Sequence, residues 1–134
     1  MEEHIEYIVT EDSNGDSLSG EKNYGFHLPP NIPAKKYWSV LVYDSQTSLI
    51  IKNGQSWPSV YSTSKDLVIN PDGSVDVLLG PKATASREHN WINTLPGKGW
   101  TLMLRLYGTM ATRFDQTWKP GEIEHLKIHN KPEL

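Results

Sequence analysis

The chain has 134 residues, which at roughly 100–200 residues per domain makes one domain, and no cysteine, which excludes a disulfide scaffold, thiolate catalysis and a cysteine zinc site. Its apolar fraction of 37%, with 10 glycines besides, is enough for a core and argues against disorder. Thirteen basic and 16 acidic side chains give a net charge of −3, so there is no general footprint for nucleic acid.

The start, Met1-Glu2-Glu3-His4, is acidic, whereas a signal peptide opens on a basic segment followed by an apolar run. No stretch reaches the ~20 apolar residues of a membrane helix. With Met1 as a natural start the expected location is cytoplasmic, with no membrane contact. Residues 5–9 read as a first strand, followed by an acidic, Gly- and Ser-rich loop or linker over 11–21. Residues 24–28 read as a second strand, and Pro29, Pro30 and Pro33 would blunt an edge. Over 37–43, Trp38, Val40 and Val42 face one way and Tyr37, Ser39, Leu41 and Tyr43 the other. Both faces are rich in apolar or aromatic groups, as in a central strand covered on one side and lining something on the other. Residues 49–52 give a weaker strand.

The clearest hairpin joins 67–69 to 75–79 through Asn70-Pro71-Asp72-Gly73. Proline presets φ and Gly73 supplies the positive φ of a type I turn with a bulge. The clearest strand is 100–107, where Trp100, Leu102, Leu104 and Leu106 alternate with Thr101, Met103, Arg105 and Tyr107. A helical turn or two is expected only around 110–116, stopped by Pro120, and 125–134 reads as a tail. Short strands separated by frequent turns predict an all-β sandwich or barrel.

Several ordered motifs carry a family resemblance. They are Tyr24-Gly25-Phe26-His27-Leu28-Pro29-Pro30-Asn31 with Tyr37-Trp38-Ser39-Val40, Asp72-Gly73-Ser74-Val75-Asp76-Val77 leading to Gly80-Pro81, and Asn90-Trp91-Ile92. Pro96-Gly97-Lys98-Gly99-Trp100, Leu104-Arg105-Leu106-Tyr107-Gly108 and Thr117-Trp118-Lys119-Pro120-Gly121-Glu122 complete the set. From about residue 12 to 124 the chain resembles the family called domain of unknown function 1214. That family usually forms the C-terminal part of larger proteins, behind domain of unknown function 1254. The resemblance implies one jelly-roll-like β-sandwich of short antiparallel strands over 1–134, with at most one or two short helical turns. Residues 1–11 are then an extra strand or a remnant. No activity is implied. The chain departs from the family pattern at Ser48, where an arginine is common, and at Thr109, where proline is expected.

No motif assembles a catalytic or metal site. His125 and His129 have helical zinc spacing, but Pro120, Gly121 and Pro132 surround them and no glutamate sits between them in the metalloprotease position. The carboxylates Asp44, Asp66, Asp72, Asp76, Glu88 and Asp115 are scattered; Asp72 suits the turn and Asp76 a solvent-facing strand position. There is no nucleophile elbow, and Pro96-Gly97-Lys98-Gly99 is a tight turn that lacks the Ser or Thr of a phosphate loop.

The candidate ligand site is polar and aromatic. Tyr43 and Asp44 end one strand, and Arg105 and Tyr107 lie on the less apolar face of another. A buried guanidinium needs a carboxylate partner or several carbonyls, and Asp44 is one candidate. Of the five tryptophans, Trp38 and Trp100 read as core, whereas Trp57, Trp91 and Trp118 lie near loops where a binding surface is to be sought. The expectation is a non-catalytic binding or interaction module without cofactor or metal. Its partner would be a carbohydrate or small acidic ligand, another domain, or a second copy of the chain. The alternative is a small hydrolase with its site in the sandwich mouth around Arg105 and Tyr43.

Overall fold

The computed structural model describes residues 4–34, 37–47, 49, 59–63, 67–81, 90–108 and 118–126. Regular structure in these residues is all strand: β1 (His4–Val9), β2 (Asn23–Leu28), β3 (Tyr37–Asp44), β4 (Ser59–Tyr61), β5 (Val75–Gly80), β6 (Trp91–Asn93), β7 (Trp100–Tyr107) and β8 (Ile123–Leu126). They form two four-stranded sheets, ordered β1-β7-β3-β4 and β6-β5-β2-β8. The ladders are antiparallel except β5–β6, which is parallel. The chain passes back and forth between the sheets, as a jelly-roll-like sandwich requires.

Period-two alternation decides what lies between the sheets. In β7, Trp100, Leu102, Leu104 and Leu106 are buried and the residues between them half-buried. From β3 come Trp38, Val40 and Val42; from β2, Tyr24, Phe26 and Leu28; from β5, Val75, Val77 and Leu79. They meet with Ile92, Trp118 and Ile123 in one core. Each such large apolar side chain contributes on the order of 1.5–3 kcal/mol on burial. In mid-β3 the outward residues Ser39 and Leu41 are buried too, so this strand is covered on both faces.

The turn after residue 69 forms as the sequence requires. The Asn70 N–H donates to the Ser74 carbonyl at 2.8 Å, the Gly73 N–H to the Asn70 carbonyl at 2.8 Å, and Gly73 has φ of 93°. The first arm of the expected hairpin, however, is not a strand. β5 is already flanked by β2 and β6. The Asn90 carboxamide instead takes the place of a ladder beside residues 67–69. It accepts from the Val68 N–H at 3.0 Å and donates to the carbonyls of Val68 (2.9 Å) and Asp76 (3.0 Å). Leu49 lies in a bend, and the remainder of the expected strand 49–52 and the expected helical turn at 110–116 fall outside the described residues. Short β4, β6 and β8 were not anticipated, and β8 continues the second sheet into residues that read as a tail.

Candidate functional site

Arg105 faces outward from the first sheet, in register with Glu6 on β1 and Ser39 on β3. Its partner is Glu6, with Nε 3.5 Å from Oε2, and not Asp44. The expected Asp44 pairing fails by parity. Asp44 shares its strand face with Val42 and Val40, whereas Arg105 lies opposite Ser39 on the other face. Asp44 instead closes its own loop: Oδ1 accepts from the Gln46 N–H at 2.8 Å and the Thr47 N–H at 3.3 Å, and Lys98 Nζ lies 3.6 Å from Oδ2. The Gln46 amide hydrogen bond is the largest influence holding its carboxyl below the usual range.

Tyr43 and Tyr107 share the outer face with Arg105, Tyr107 two residues from it along β7 and Tyr43 well away from it. Tyr43 pairs with Thr101, four residues along β7 from Arg105, or about 13 Å at the strand rise. Tyr107 instead joins two tyrosines that the sequence did not single out. Tyr37 lies 5.9 Å from the Tyr107 ring and 6.2 Å from the Tyr61 ring, centroid to centroid. Burial, followed by these neighbouring phenols, pushes the Tyr37 hydroxyl up.

The loop tryptophans separate. Trp118 is buried with the core, and its Nε1 donates to the Pro29 carbonyl at 3.2 Å. Trp91 stands in β6, half-buried, with Nε1 donating to the Gly80 carbonyl at 3.0 Å. Trp57 lies outside the described residues.

A concave surface lies elsewhere, on the outer face of the second sheet. A groove of about 590 Å³ is lined by Gly25, Phe26 and His27 of β2, Asp76 and Leu78 of β5, Glu124 and Leu126 of β8, and Gly121 and Glu122 just before β8. Alternation places it there. Tyr24, Phe26 and Leu28 turn inward, so Gly25 and His27 turn outward. Gly25 sits in register between Leu78 and Glu124. Having no side chain, it leaves a low floor, bounded by Leu126 at 3.7 Å from where a Cβ would stand.

At one end His27 is directly opposite Asp76. Its Nδ1 lies 2.6 Å from Asp76 Oδ1, and Asn70 Nδ2 donates to Asp76 Oδ2 at 3.0 Å. Asn70 also donates to Ser74 Oγ, whose hydroxyl donates to Asp72 Oδ1 at 2.6 Å. The turn that presents β5 thus fixes the imidazole. With Nδ1–H given to Asp76, a neutral ring leaves Nε2 as an acceptor. The remaining polar side chains lining the groove are Glu122 and Glu124, both exposed.

Sequence reasoning placed Asp76 correctly as solvent-facing but did not bring it to His27, because strand pairing is not visible in one chain. The available signal was the small and polar alternation of Gly25 and His27 within an otherwise apolar strand. Among the described residues no three His, Cys, Asp or Glu side chains are arranged to hold a metal ion, and no helix is long and apolar enough to cross a membrane.

The model of a protein family of unknown function, DUF1214, matches residues 3–111. Among solved structures, the VPA0106 protein from Vibrio parahaemolyticus is similar with a TM-score of 0.77 and 23% identity, over 93% of this chain and 31% of that one. An uncharacterized protein from Burkholderia cenocepacia is similar with a TM-score of 0.50 and 18% identity, over 98% of this chain and 31% of that one. These likenesses show a shared fold, and this chain spans less than a third of either protein. No curated protein matches the chain.

Proposed function

The chain belongs to the DUF1214 family, which carries no assigned activity, and on that premise we propose that it is a non-catalytic binding module whose ligand surface is the groove over Gly25. The observation that carries this reading is the groove itself. It has the volume of a small-ligand site, an apolar floor, and a few convergent polar groups fixed by a rigid turn.

Two observations favour binding over turnover. The groove lining contains an oriented imidazole but no hydroxyl, thiol or amine nucleophile. The lowered carboxyls of Asp12, Asp44 and Asp72 each trace first to hydrogen bonds within their own turns, not to a cleft. The hydrolase reading has less support, because Tyr43, Asp44 and Arg105 do not converge.

The test is a ligand screen on the 134-residue chain, covering glycans, amino acids and short peptides, repeated with Gly25→Trp, which fills the floor. At least one probe class should bind the wild type without chemical change, and the substitution should abolish that binding. Binding indifferent to Gly25→Trp, silence across the whole screen, or turnover of a bound probe overturns the proposal.

A further inference from the structure

We infer that the occupant of this groove is a basic side chain, arginine or lysine, presented by a partner polypeptide; the inference rests on the groove being a binding site at all. The charge of the lining is one-sided. It contains three carboxylates, one imidazole and no lysine or arginine. Asp76 is engaged by His27 and Asn70. Among the described residues, no hydrogen bond or ion pair engages the side chain of Glu122 or Glu124. These two lie two residues apart and both line the groove.

Beside Glu124 on the sheet lie Gly25, Leu78 and Leu126, a strip without polar side chains. A basic side chain is the ligand built in the same two parts. Its methylene stem covers apolar surface while its cationic head reaches a carboxylate rim. An acidic ligand meets like charge here. A sugar lacks a stacking platform, because the aromatic residue among those lining the groove, Phe26, is buried in the core. A polypeptide is favoured as the source because the groove runs along β8, which among the described residues is the edge of its sheet; the Ser13 N–H donates to the Ile123 carbonyl there at 2.8 Å, and an extended backbone can lie beside the remainder of the strand.

The test titrates the ¹⁵N-labelled chain with acetyl-Leu-Arg-Leu-amide, its glutamine and glutamate counterparts, and free arginine amide. The arginine peptide should shift the Gly25 and Gly121 amide signals. Its affinity should fall about fivefold in the Glu122→Gln/Glu124→Gln variant, as for two exposed ion pairs. It should fall again between ~0.05 and ~0.5 M salt. The amide spectrum of the variant reports its fold independently. Equal binding of the glutamine or glutamate peptide overturns the cation, and equal binding of free arginine amide overturns the polypeptide source. In both cases the groove remains a binding site. If no probe in the wider screen shifts these amides either, the groove reading falls with the inference.

Discussion

Asp44 shows how a polar residue at a strand end serves the chain before any ligand. Its carboxylate accepts two loop amides and faces Lys98, and the first of those amides contributes most to holding its carboxyl low. A carboxyl lowered on folding stabilises the folded state above its unfolded value, ~3.9 for aspartate, and that contribution is lost as pH falls through the lower folded value. Asp44→Asn should therefore unfold at lower urea concentration than wild type from about pH 5 to 8. The gap should close as pH falls below about 4. A gap that persists unchanged to about pH 2 contradicts this origin. The residue scale is also where sequence reasoning divided. Trp38 and Trp100 were legible as core because each sits in a strand with an apolar period. Trp118 was not, because it joins the core through residues far away in the chain, its indole donating to the Pro29 carbonyl. Arg105 was legible as needing a carboxylate or several carbonyls, but Glu6 became its partner only through the β1–β7 register.

Elements were legible in proportion to their length. Eight-residue β3 and β7 repeat the period four times, enough to fix both existence and facing. Three-residue β4 and β6 show one inward residue each, Val60 and Ile92, and no period can be read from one. The misread arm at 67–69 has a definite cause in Asn90, whose carboxamide substitutes for a neighbouring backbone. Asn90 is buried and makes three hydrogen bonds from that group. Asn90→Ala should leave Val68 and Asp76 backbone groups without these partners and cost about 1–3 kcal/mol in urea denaturation. Hydrogen exchange should rise at the Val68 amide and stay near wild type in β7. Uniform acceleration across the sheets, or none at Val68, would show that Asn90 is not a local clamp.

At the scale of the molecule, the pairing that builds the groove is the same pairing that makes the fold slow to find. β1 pairs with β7 and β2 with β8 across about 100 residues of chain, β3 with β7 across about 60, and β2 with β5 across about 50. β3 and β4 are consecutive but are separated by residues 45–58, and consecutive β5 and β6 are parallel, which no tight turn can connect. Loop closure must therefore precede most of the favourable contacts, and folding should lie in the millisecond-to-second range typical of sandwiches. Stopped-flow refolding followed by tryptophan fluorescence should show this, since Trp38 and Trp100 are buried on opposite ends of the core strands. Leu104, fully buried in β7 between β1 and β3, is the position to perturb. Leu104→Ala should cost about 2–5 kcal/mol. Because β7 joins β1 to β3, much of that cost should appear as slower refolding, beyond what faster unfolding accounts for. Refolding complete within microseconds, or a Leu104→Ala effect confined to the unfolding rate, would show that the first sheet does not organise the sandwich. The His27–Asp76 pair, which exists only once β2 and β5 have found each other, would then have to form by a route independent of β7.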